Sequence, residues 1–206
     1  MEIAKDLRIV LPVDTRHGES FVHAQAIGRE TFDRYFVLIS QAFSSVYTDG
    51  VSRLSGPRVA ARYIRQAAEA RGPEALADVN AGLFGEMLRL ANVAMRGKDV
   101  PAGPADDKGV VPMAPSGWEM IPLADAFRDG LLDEDTKDEV ENALAFFTLI
   151  SCMHKKKDRA AILEFPIQLW GGRLTSSGYT EFVASLPTST ATASSGAKAP
   201  VSSAIY

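Results

Sequence analysis

One cysteine, Cys152, is all that this 206-residue chain carries, so neither an internal disulfide nor a cysteine-rich zinc site is available to it. The thiol lies within an apolar run, where it reads as a small hydrophobe, and a reducing compartment is expected. An excess of basic charge is missing too: 22 Lys and Arg stand against 26 Asp and Glu, a net charge of -4. That balance argues against a dedicated nucleic-acid binder, which gathers cations to neutralise phosphates. The longest apolar stretch, residues 143–147 resuming at 149–150, falls far short of the roughly 20 residues that cross a bilayer. The opening MEIAKDLRIVLPVD has acids among its first residues and no apolar stretch before a small-residue cleavage site, so no secretory signal is expected. Catalytic templates are absent as well: no H-E-x-x-H, C-x-x-C, G-x-G-x-x-G, G-x-x-x-x-G-K-[ST] or G-x-S-x-G occurs. The expectation is a protein that is not an enzyme and uses no cofactor and no metal.

What is present is an ordinary globular composition, 46% hydrophobic and 23% charged, on a chain long enough to bury a core without covalent staples. The runs LRIVLPV and SFVHAQAI flank the turn-forming DTRHGE, which predicts an N-terminal β-hairpin. After Gly28 the period becomes helical, through Phe32, Tyr35, Phe36, Ile39, Phe43, Val46 and Tyr47, ending near Asp49-Gly50. Ser55-Gly56-Pro57 signals the next helix start, with Val59, Ala60, Tyr63, Ile64, Ala67 and Ala68 as its buried stripe. Gly72-Pro73 stops that helix and opens another. Its period is read through Leu76, Val79, Leu83, Phe84, Met87, Leu88, Ala91 and Met95, while Gly82 and Gly85 mark a break or a close helix contact.

The four prolines and four glycines of residues 97–117 predict a loop or linker, followed by a short helix over Leu123 to Asp129. The strongest helical signal comes next. Acids crowd its start at Asp133, Glu134, Asp135, Asp138, Glu139 and Glu141, and His154, Lys155, Lys156, Lys157 and Arg159 follow its apolar centre, a polarity matching the helix macrodipole. ALAFFTLISCM, apolar on nearly every side, marks the region from about Asp135 to Met153 as the central core helix, with Phe147 deep inside it. The acidic cluster does not fit a calcium loop, because Asp138 falls where that loop needs glycine and Leu144 where it needs a bidentate glutamate.

From Thr175 onward the chain is dominated by Ser, Thr, Ala and Gly. Its apolar cluster, Tyr179, Phe182, Val183 and Leu186, is spaced to occupy one face of a two-turn helix. That face reads either as an element docked on its own body or as a partner-binding motif, and the partner is the expectation carried forward. Arg58, Arg62 and Arg65 share a helical face, with Arg53 and Arg71 nearby, and are the second candidate surface, toward an acidic partner or phosphate. A solvated face is the plainer account of them. His17, His23 and His154 lack acidic or sulfur partners at ligand spacing. Trp118 and Trp170 read as core or rim anchors.

Taken together, LPVDT, FVHAQAIGRETFDRYF, YTDGVSRLSGPRVAARYI, GWEMIPLADAFRDGLLDEDTKDEVENALAFFTLISCMH and the closing LWGGRLTSSGYTEFVASLPTSTATASSGAKAPVSSAIY resemble the tail assembly chaperones of long-tailed bacteriophages. The resemblance covers most of the chain and rests on overall pattern. It implies a helical protein of the host cytoplasm that binds the phage tape measure protein, keeps it soluble, and helps tail tube protein subunits polymerise around it, with self-association possible. The alternative is a virion structural component such as a neck, tail-completion or minor tail protein. The expected fold is α+β and mainly α: an N-terminal β-hairpin over residues 1–28, a helical body of five to six helices over 29–170 containing the loop 97–117, and a flexible Ser/Thr/Ala-rich C-terminal tail over 171–206.

Overall fold

The computed structural model describes residues 7–16, 18–48, 58–97, 100–101, 113–114 and 117–187. The two β-rich runs pair antiparallel as β1 (Arg8–Thr15) and β2 (Gly18–Gln25), in register from Arg8 opposite Gln25 to Thr15 opposite Gly18. Period-two alternation sets their faces: Ile9, Leu11, Val13, Val22 and Ala24 enter the main core, whereas Val10 and Phe21 belong to a second, smaller cluster.

The fold is α+β and mainly helical, and the hairpin is the middle of a larger sheet. Strands β3 (Ala91–Arg96), β6 (Trp118–Pro122) and β7 (Arg173–Thr175) complete an antiparallel order β6-β3-β2-β1-β7. The segments 1–28, 29–170 and 171–206 therefore all contribute to one sheet. Within 97–117, β4 (Val100–Pro101) and β5 (Met113–Ala114) form a separate two-residue ladder, and the Gly97 N–H donates to the Gly117 carbonyl at 2.9 Å. The remainder of that predicted loop, like residues 188–206 of the predicted tail, lies outside the described residues.

Helix α1 (Arg29–Thr48) and α2 (Ala60–Glu69) follow the predicted stripes. The helix start read at Ser55-Gly56-Pro57 is outside the described residues. Gly72 takes φ +112 and Pro73 begins α3 (Pro73–Asp78), which passes into a π-helical segment (Val79–Phe84) and then α4 (Gly85–Arg89). Gly82 sits in that widened segment because a Cβ there would overlap the Tyr35 hydroxyl of α1, which donates to the Asp78 carbonyl at 3.1 Å. The helix expected to run on to Met95 ends at Arg89. Ala91, Val93 and Met95 enter the main core while Ala94 joins the outer cluster, a period-two division that a helical template also catches at Ala91 and Met95. Pairing with the free edge of β2 decides the outcome.

After α5 (Leu123–Arg128), the central helix α6 (Glu134–Met153) is buried continuously from Asn142 to Ser151, and Phe147 is 1% exposed. Asp133 caps it, its carboxylate accepting the Thr136 N–H at 2.7 Å, a bond that holds this carboxyl below its usual pKa. The lysines expected at the end of this helix do not terminate it. α6 stops with His154 extended, and Lys155 precedes α7 (Lys156–Leu169), so the lysines begin a new helix. A periodicity scan joins the two because only the extended dihedrals at His154 and Lys155 separate them.

α7 closes in a Schellman motif. The Gly171 N–H donates to Gln168 and the Gly172 N–H to Ile167, with Gly171 at φ +67. Gly172 also lets the chain graze β1, since a Cβ there would lie 2.8 Å from the Val10 carbonyl oxygen. The chain then enters β7 and α8 (Tyr179–Ala184). The sheet's inner face packs on the main core with the long helices; its outer face, at Val10, Phe21, Ala94 and Trp118, is covered by Phe182, Val183 and Leu186.

Candidate functional site

The predicted partner-binding face of the tail turns inward. Phe182 is 2% exposed and Leu186 7%. The Phe182 ring meets Phe21 edge-on at 6.0 Å and stacks with His23 at 5.4 Å, with the Arg173 guanidinium 5.5 Å from its centre. Val183 is partly buried in the same cluster, and Tyr179 meets the His23 ring at 5.3 Å. Trp118 anchors the far end, donating its indole N–H to the Pro187 carbonyl at 3.0 Å and packing on Phe21 at 5.6 Å. Tyr179, Phe182, Val183 and Leu186 are thus an intramolecular clamp, because they complete an outer sheet face that would otherwise expose Val10, Phe21 and Trp118.

The arginine face is divided. Arg65 donates to Glu141 at 2.6 Å and Asn80 at 3.2 Å, and its guanidinium lies 4.2 Å from the Phe84 ring centre, so it ties α2 to α6 and the π-helical segment. Arg62 and Arg58 remain exposed, Arg62 beside Arg65, Glu69 and Asp138 at a polar cavity of about 480 Å³. Arg53 and His17 lie outside the described residues. His154 packs its ring against Phe43 at 5.4 Å, and its buried Nε2 has no hydrogen-bond partner among the described residues. Burial pushes the Cys152 thiol up to about 11, against a smaller opposing pull from Arg159, so it stays protonated at neutral pH.

A surface that sequence reasoning missed lies between α1 and α2. A groove of about 800 Å³ is lined along α1 by Phe36, Val37, Ser40 and Gln41, and along α2 by Tyr63 and Ala67. Phe36 is 48% and Val37 53% exposed, although Phe36 sits in the helical stripe assigned to the core. Phe32 holds the Phe36 ring edge-on at 5.6 Å, and Arg71 bonds Gln41 across the groove at 3.0 Å. The signal available in the sequence was Val37 beside Phe36, a pair too wide for one buried stripe.

Among the described residues, no three His, Cys, Asp or Glu side chains gather as a metal-ion site, and no helix is long and apolar enough to cross a membrane. No protein-family model, curated protein or solved structure matches the chain.

Proposed function

We propose that this chain is a non-enzymatic tail assembly chaperone of a long-tailed bacteriophage, working in the host cytoplasm to hold the tape measure protein and promote tail tube polymerisation around it. The reading rests on the resemblance in sequence, and the α1–α2 groove supports it. An exposed cleft between two helices, with Phe36, Val37 and Tyr63 among Ser, Gln and Arg side chains, suits an amphipathic helix that sets its apolar face on those three.

The test is co-expression with the tape measure protein and the double substitution Phe36→Asp, Val37→Asp. Both side chains are about half exposed, so the variant should keep its thermal midpoint while it loses capture of the tape measure protein and leaves that protein insoluble. A variant that captures and solubilises as well as the parent removes the groove from the mechanism. The rival reading, a virion structural component, draws on a further exposed apolar pair, Phe165 and Leu169 on α7. Mass spectrometry of purified particles separates the two: absence fits a chaperone, and a fixed copy number fits a structural component.

A further inference from the structure

On the outer face of the sheet lies a polar cavity of about 200 Å³ to which neither the groove nor the proposed function gives a role. Register assembles its floor. Arg8 is paired with Gln25 and His23 with Asn92, which sets these four on one face of three adjacent strands. Arg89, at the end of α4, and Tyr179, at the start of α8, complete the wall.

The donors in this cavity outnumber its acceptors. Arg8 gives one N–H to the Ser176 carbonyl at 3.3 Å, and among the described residues its guanidinium has no acidic partner. Arg89 is balanced by Glu86, bonded through two nitrogens at 2.6 and 2.7 Å. Among the described residues the uncompensated charge is therefore the single positive charge of Arg8. His23 adds none at neutral pH, since burial, with a smaller push from Arg8, lowers its pKa. Its Nε2 is 3.3 Å from the Ser177 carbonyl, an oxygen that only accepts, so Nε2 carries the proton. Among the described residues the buried Tyr179 hydroxyl has no hydrogen-bond partner, and burial raises its pKa, so it remains a donor with nothing to receive its proton. The Leu90 carbonyl, which would repel an anion, is engaged by the Gln25 backbone N–H at 3.2 Å.

We propose that this cavity binds a carboxylate, with Arg8 as its counter-charge and the Tyr179 hydroxyl and the Asn92 amide as further donors. A lone positive charge matches a carboxylate and leaves a phosphate dianion half uncompensated. The volume of about 200 Å³ lies below the roughly 300–1,000 Å³ of sites for larger ligands. The carboxylate is supplied either by a free small acid or by the terminus of a peptide.

The experiment titrates the full chain with sodium acetate, acetylglycine and inorganic phosphate, each against sodium chloride at matched ionic strength. The His23 imidazole and Arg8 Nε–H resonances are followed by NMR. Both carboxylates should give saturable shifts that chloride does not. Binding should weaken about tenfold in Arg8→Gln and about threefold in Tyr179→Phe, which keeps the ring that packs on His23 and removes only the hydroxyl. Tighter acetate assigns a free acid, and tighter acetylglycine a chain terminus. Shifts that never saturate, shifts reproduced by chloride, phosphate binding tighter than either carboxylate, or a folded Tyr179→Phe that binds like the parent would each overturn the proposal.

Discussion

Replacing Asn142 by Ala should destabilise the fold more than its single amide suggests. Asn142 sits on the buried side of α6 at 3% exposure; its Oδ1 accepts the Ala61 N–H at 3.1 Å and its Nδ2 donates to the Asp138 carbonyl at 2.9 Å. The residue at the N-cap of α2 is Val59, which has no side-chain acceptor, so the central helix caps its neighbour. Ala61 is itself 1% exposed, and its N–H has no route to water once the amide is gone. Orphaning a buried donor costs about 1–3 kcal/mol, and the space left by the amide adds about 1 kcal/mol. The sum, about 2–4 kcal/mol, should lower the thermal midpoint by roughly 5–12 °C in a chain of this size. Asn142→Leu separates the two contributions, because it refills the space and leaves the donor orphaned. Thermal and urea denaturation would be compared with Asn80→Ala, where an exposed partner of Arg65 is lost and the change should stay within about 0.5 kcal/mol. A fully stable Asn142→Leu, or an Ala61 amide whose hydrogen exchange is no faster in either variant, refutes the reasoning.

Phe147→Asp buries an unpaired charge at a site 1% exposed, at a cost of several kcal/mol against a total of about 5–15, and should yield no soluble protein. A soluble variant with the parent's midpoint would overturn the core assignment. Removing residues 175–206 should lower the midpoint by several degrees through loss of Phe182 and Leu186; an unchanged midpoint would show that the clamp does not contribute to the fold. Gly172→Ala forces a Cβ to within 2.8 Å of the Val10 carbonyl oxygen, and urea denaturation should register a loss of about 1–3 kcal/mol. The pKa of His23 is lower folded than unfolded, so the unfolded chain takes up its proton more readily and stability is lost as pH falls below about 6.5. Denaturation between about pH 8 and about pH 5 should therefore show a steeper decline for the parent than for His23→Gln.

The elements legible in the sequence were those whose pattern is local. Period-two alternation gave the hairpin, three-and-four spacing gave α1 and α2, and Gly72-Pro73 gave the boundary that follows them. Illegible were the outcomes set by partners distant in the chain. Ala91–Arg96 becomes a strand because β2 offers it an edge about 70 residues earlier in the chain, and Trp118–Pro122 becomes one because β3 then offers another. Arg65 looked like its exposed neighbours until α6 brought Glu141 beside it. Its three-residue spacing from Arg62 carries no information about that contact. The polar cavity was equally hidden, since Arg8, His23 and Asn92 converge only through strand register and Tyr179 joins them only when α8 docks on the sheet.

The same distinction explains why the tail docks on its own body. Sequence spacing pointed Tyr179, Phe182, Val183 and Leu186 toward a partner rather than the body, although a two-turn helix is unstable by itself and either surface would hold it. The deciding feature is the Gly171-Gly172 exit from α7, which turns the chain onto the free edge of β1 and pairs Arg173–Thr175 there. Edge pairing leaves residues 176–178 to reach α8, so the docking face meets the sheet at an effective concentration of the order that short tethers give, about millimolar. A partner in solution at micromolar concentration competes against that tether and against a hydrophobic cluster containing Phe21 and Trp118. The tail face is therefore already occupied by the chain's own sheet, whereas among the described residues Phe36 and Val37, about half exposed beside the α1–α2 groove, have no element packed over them.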